Sequence, residues 1–139
     1  MSERIFTLDE SNQVLPLVRS ITRDAVRRYR AAKDEIQALG RLKADRRAGL
    51  PVAVDELRAQ DARIETHLNE LRRLIDELEN LGCRLRDYER GVVDFPAAML
   101  DGDQFTFYCW TLGEEQVTYW HREEEGFDQR RLIGAEASA

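Results

Sequence analysis

At Gly82 the hydrophobic period of this chain changes, and that change limits the folds open to it. Before it, Val18, Ile21, Ala25, Tyr29, Ala32, Ile36 and Leu39 recur at spacings of 3, 4, 4, 3, 4 and 3, which lays one apolar stripe along a helix. Leu57, Ile64, Leu68, Leu71, Ile75 and Leu78 form a second stripe, widened by Leu74 and Leu81. After Gly82, Cys83, Leu85 and Asp87 alternate with Arg84, Arg86 and Tyr88, the period of two of a strand. The expected fold is α+β: a long antiparallel helical hairpin followed by a small four-stranded antiparallel β-meander.

Local signals place the boundaries. Thr7 with Glu10 three residues on has the spacing of a capping box, and Ile5 or Phe6 precedes it as a hydrophobic staple. The first helix is predicted over residues 8–40. Pro16 falls inside it, so a kink or a split near residue 16 is expected. Gly40, Gly49 and Pro51 punctuate residues 40–54, read as a mobile solvated loop. Asp55 caps a second helix over residues 55–81, and Gly82 stops it. Strands follow over residues 83–121, with a turn at Asp101-Gly102 and a strand break near Pro96. The tail, residues 131–139, is expected to fray.

A chain of 139 residues forms one domain, 1–139, long enough to bury a core without disulfides or metals. Charged residues make up 35%, which suits long solvated helices. Cys83 and Cys109 build no disulfide framework and no CxxC, which points to a reducing, cytoplasmic setting. The opening MSERIFTLDE lacks the pattern of a signal peptide, and no apolar run approaches a membrane span.

The net charge of −6 lies wholly in residues 82–139, which hold 6 basic and 12 acidic residues. Residues 19–47 carry 10 basic against 4 acidic residues. An acidic chain is a poor nucleic-acid binder. Only the basic arm from Arg41 to Arg47 keeps RNA or ribosome binding open, and it ranks last. The two stripes exceed what one hairpin can bury on a small sheet, so a homodimer through the helices is expected.

The stretch from Gly91 to Arg130 concentrates the chemistry. GVVDFPA at residues 91–97, CWTLGE at 109–114, WH at 120–121 and GF-x-x-R at 126–130 resemble a prokaryotic family of small uncharacterised proteins, domain-of-unknown-function family 2203. FTLDESNQVLPLV at residues 6–18 is similar to that family's opening, so the resemblance spans essentially the whole chain. It implies a bacterial or archaeal cytosolic protein and carries over no activity. Asp128-Gln129 stands where the family commonly has a small residue before its arginine, which loosens any role assigned to Arg130.

Two readings of this stretch stand side by side. In one, Asp94, Trp110, Glu114, Trp120, His121 and Arg130 form a ligand site, with His121, Asp94 and Glu114 holding a divalent metal as cofactor. In the other, His121 and Asp94 are buried partners of each other or of an arginine, and the tryptophans are core. Cys109 alternates with apolar residues and reads as a small buried hydrophobe with no base to activate it. His67 flanks the second helical stripe. No phosphate loop, GxSxG or zinc-finger spacing is present. The leading functional expectation is a non-enzymatic interaction module, and the alternative is a small enzyme or ligand-binding protein acting from the sheet.

Overall fold

A computed structural model describes residues 4–134. Helix α1 (Leu8–Arg47) and helix α2 (Val54–Leu81) form an antiparallel hairpin. Strands β1 (Arg84–Asp87), β2 (Val92–Asp101), β3 (Gln104–Thr111), β4 (Tyr119–Arg122) and β5 (Arg131–Leu132) follow. They pair antiparallel in chain order, so the α+β hairpin-and-meander architecture is what forms. Among the described residues no helix is long and apolar enough to cross a membrane.

The caps behave as their chemistry dictates. The Glu10 amide donates to Thr7 Oγ1 at 3.1 Å and the Thr7 amide donates to Glu10 Oε1 at 2.9 Å, completing the capping box. Gly82 ends α2 in the left-handed conformation, with φ 97°, and the Cys83 amide returns to the Leu78 carbonyl at 3.0 Å.

Five details differ from the expectations above. Helix α1 runs through Gly40 to Arg47 instead of ending at residue 40. One exposed glycine costs about 1 kcal/mol, and RLKADRR beyond it is good helix formers apart from Asp45, ending in cations that suit the negative helix end. The connection is therefore 48–53, shorter than the expected 40–54 loop. Pro16 lies within one continuous helix rather than splitting it. Leu15 and Val18, both buried, hold this stretch on the sheet, and burying each contributes about 1.5–3 kcal/mol against about 3 kcal/mol for the proline. Helix α2 begins at Val54 after Ala53, which offers no side-chain cap, and Asp55 sits in the acidic first turn instead.

Strand β2 continues past Pro96 to Asp101. The Phe6 amide donates to the Pro96 carbonyl at 2.7 Å, and the Ala98 amide donates back to Phe6 at 2.7 Å. A strand residue's N–H and C=O point to the same neighbour, so the donor Pro96 lacks faces the side where β1 has already ended. The expected frayed tail begins instead with β5, paired Tyr119↔Leu132 and Trp120↔Arg131. Residues 135–139 of that tail lie outside the described residues.

The core lies between the hairpin and one face of the sheet. Val93, Phe95, Tyr108, Trp110 and Trp120 pack there with Leu15, Val18, Leu74 and Leu78. Asn12 ties α1 to the β3–β4 connection, accepting from the Val117 amide at 2.8 Å. The β1–β2 turn is held more tightly. Gly91 has φ 75°, and a Cβ there would meet Leu112 Cβ at 2.9 Å and Thr22 Cγ2 at 3.1 Å. Gly91→Ala is expected to cost at least about 1–2 kcal/mol, read as a lowered urea midpoint. Thr22, fully buried, has a hydroxyl that finds no hydrogen-bond partner among the described residues. Removing such a group relieves about 1–3 kcal/mol, so Thr22→Val is expected to raise the same midpoint.

Candidate functional site

The sheet's other face carries the polar chemistry. Cross-strand partners share a face, and Asp94 on β2 stands opposite Cys109 on β3, which stands opposite Tyr119 on β4. Pro96, Phe107 and His121 form the next row. This face points away from the hairpin, yet Asp94 and His121 are each 1% exposed and Cys109 is 0% exposed. Their cover comes in part from the segment after β4. The Arg130 guanidinium lies 3.9 Å from the Tyr119 ring centre, and Arg90 lies 5.1 Å from that of Phe127.

Asp94 and His121 meet directly. His121 Nε2 is 2.9 Å from Asp94 Oδ1, and its Nδ1 is 2.7 Å from the Arg122 carbonyl oxygen. Both ring nitrogens face oxygen acceptors, so both carry protons in the protein alone. Burial pushes the His121 pKa down, but hydrogen bonds to Asp94 and Cys109 outweigh it and raise it to about 10. The second carboxylate oxygen of Asp94 lies 3.6 Å from Arg86 Nη1. The Phe107 ring stacks on the imidazole with centres 5.7 Å apart.

Cys109 completes the group. Its sulfur, a carboxylate oxygen of Asp94 and a ring nitrogen of His121 lie within 4.8 Å of one another. Among the described residues this is the one cluster of three such donors. The sequence alone places no base near Cys109; the structure sets His121 beside it. The usable signal was parity: any hairpin turning at Asp101-Gly102 with an even number of extra residues puts Asp94 and Cys109 on one face.

Glu114, expected beside Asp94 and His121, joins a second cluster. Its carboxylate takes both guanidinium arms of Arg130, one bond being 3.1 Å, and accepts from the Thr111 amide at 2.8 Å. Glu114 follows the strand end, so its side chain turns back to cap Thr111 instead of pointing along the Asp94 row. Burial works against the Arg130 charge, but Glu114 and Cys109 raise its pKa, so the arginine bridges the two clusters. Trp110 and Trp120 lie on the opposite face, in the core. Trp110 Nε1 donates to the Glu114 carbonyl at 2.9 Å, and Arg131 stands 4.6 Å from the Trp120 ring centre. The expected six-residue site is thus divided between two faces. His67, expected at a helix flank, accepts from Arg28 Nη1 at 3.1 Å across the hairpin.

A family model described as an uncharacterized conserved protein, DUF2203, matches residues 4–133. The chain belongs to the DUF2203 family. No curated protein and no solved structure matches it.

The geometry of this DUF2203 protein selects among chemistries. A nucleophile triad needs a histidine that bridges acid and nucleophile through opposite ring nitrogens. Here the Arg122 carbonyl takes Nδ1, while Asp94 takes Nε2. No proton relay from acid through imidazole to thiol is built. A cleft of about 750 Å³ is lined by Arg4, Ile5, Arg84, Pro96, Phe105 and Phe107, and the Phe107 ring stacks on His121.

The raised His121 pKa has a signed consequence. The stability it lends is complete below the ordinary value of 6.5, declines above it and is gone once pH passes about 10. Urea melts of chelator-treated protein should show this fall, and Asp94→Asn should flatten it. Glu125 behaves oppositely. Arg131 first, then the Arg122 amide, hold its pKa near 2, so its contribution is full above 4.5 and lost as pH falls through about 2. Glu125→Gln should remove that acid-side fall in the same melts.

Proposed function

We propose that this DUF2203 protein is a non-enzymatic interaction module that homodimerises through its long helices. The observation that supports the reading is an apolar stripe that outlasts its cover. Buried positions on α1 end at Ala32, while the helix continues to Arg47. Ile36 is 50% exposed, Leu50 55% and Val54 44%. A distal hairpin with such side chains gains by burying them against another apolar face, at about 25 cal/mol per Å².

A second copy fits by charge as well. Residues 19–47 hold 10 basic and 4 acidic residues, and residues 82–139 hold 6 basic and 12 acidic. A two-fold pairing with the hairpins antiparallel sets each basic tip beside the other copy's acidic sheet half. It also joins the two hairpins into a four-helix bundle. The basic tip around Arg41 and Arg47 then serves the dimer instead of RNA.

Sedimentation equilibrium tests the reading. The wild-type chain should be a dimer that weakens as salt is raised, and Ile36→Glu, checked for helicity, should be a monomer. A wild-type monomer at all practical concentrations, or an unchanged Ile36→Glu dimer, would exclude it. A second reading, a ligand site on the sheet, is favoured by one observation: the convergence of Asp94, Cys109 and His121.

A further inference from the structure

We propose that Asp94, Cys109 and His121 bind a transition-metal ion of the zinc class on the sheet face that the helices leave open. The proposal is independent of the dimer. Three features of the structure carry it.

The first is convergence. A carboxylate, a thiol and an imidazole from three adjacent strands bring their donor atoms within 4.8 Å of one another, all buried. Zinc ligands stand about 2.0–2.3 Å from the ion, so two oxygen or nitrogen ligands of a tetrahedron lie about 3.4 Å apart. The 2.9 Å between His121 Nε2 and Asp94 Oδ1 is short of that by about 0.5 Å, a shift within side-chain reach.

The second is the imidazole's orientation. A metal-bound histidine usually donates its other N–H to a backbone carbonyl or carboxylate, which fixes the ring and aims the free nitrogen. His121 Nδ1 faces the Arg122 carbonyl at 2.7 Å, and Nε2 is turned to Asp94. The contact that argues against a relay triad is the one a ligating imidazole needs.

The third is outer support. Arg86 reaches the Asp94 oxygen that His121 leaves, at 3.6 Å, and Phe107 stacks on the imidazole. Arg130 reaches Cys109 and is itself held by Glu114. Each first ligand therefore has a second residue steadying it.

The binding step balances in atoms and charge. A divalent ion replaces the Nε2 proton of His121 and the thiol proton of Cys109. Both protons leave to water, two positive charges enter, and the net charge of the buried site is unchanged. No electron is transferred. A sulfur donor selects zinc, cobalt or another borderline metal over magnesium and calcium. Three protein donors leave one tetrahedral position for water or an outside ligand.

Cobalt(II) reports directly on the sulfur. Chelator-stripped protein titrated with Co²⁺ should develop a thiolate-to-cobalt charge-transfer band that saturates at one ion per chain and is bleached by Zn²⁺. Cys109→Ser should abolish the band, Cys83→Ser should keep it, and His121→Ala should weaken binding at least tenfold. Mg²⁺ should give no heat by calorimetry, where Zn²⁺ gives one site per chain. Absence of both the band and the Zn²⁺ heat in folded wild-type protein would overturn the proposal, as would a band that survives Cys109→Ser. Should the variants fail to fold, X-ray absorption on the wild-type zinc complex decides. One sulfur at about 2.3 Å with nitrogen and oxygen at about 2.0–2.1 Å supports the site, and a shell without sulfur refutes it.

Discussion

The hydrogen bond between Asp94 and His121 is the contact on which the outer face of the sheet depends. A carboxylate inside an apolar strand cannot stay bare, because desolvating it costs several kcal/mol. Here it is answered by an imidazolium from two strands away and by Arg86. The partnership requires β2, β3 and β4 to be in register, since Cys109 lies between the two residues. An ion pair of this kind adds little net stability compared with a well-packed apolar pair. What it adds is specificity of register: a slip of one residue would send Asp94 into the helix-facing core.

The two faces of the sheet divide the labour. One is an ordinary apolar core against the hairpin, with both tryptophans in it. The other carries the polar cluster and is covered in part by the residues after β4. Those residues are clamped by charge: Glu125 binds Arg131 and the Arg122 amide, and Arg122 also binds Asp101 at the β2–β3 turn. Arg130 is thereby delivered to Glu114 and Cys109. The site thus rests on strands whose geometry is set by the core behind them, which is a more exact support than a loop provides.

Much of the architecture was legible in the sequence because its signals were local. The two stripes, the Thr7–Glu10 box, Gly82 and the Asp101-Gly102 turn each reflect a few neighbouring residues. What escaped was decided by partners far along the chain. Pro16 survives in α1 because residues on the sheet bury its neighbours, and β2 outruns Pro96 because Phe6 supplies the missing edge. The site was half legible. Asp94 announced itself as a charge in an apolar strand, with His121 one of its candidate partners beside Arg84, Arg86 and Arg130. Cys109 looked apolar because burial alone does not reveal which face a residue takes. Glu114 looked like a third ligand because its position just past a strand end hides the turn of its side chain. The irregularity between Ala97 and Leu100 kept the pairing of Asp94 with Cys109 out of reach of simple counting.

Helix α1 is a rod about 60 Å long, unbroken from Leu8 to Arg47. Its near end is fastened to the β3–β4 connection twice, by Asn12 to Val117 and by Arg19 to the Glu115 carbonyl. That connection begins next to Glu114, the residue that holds Arg130 against Cys109. Force applied at the hairpin tip therefore acts with leverage on the loop beside the donor cluster. The hairpin and the buried thiol are thus linked through Asn12, Arg19, Glu114 and Arg130.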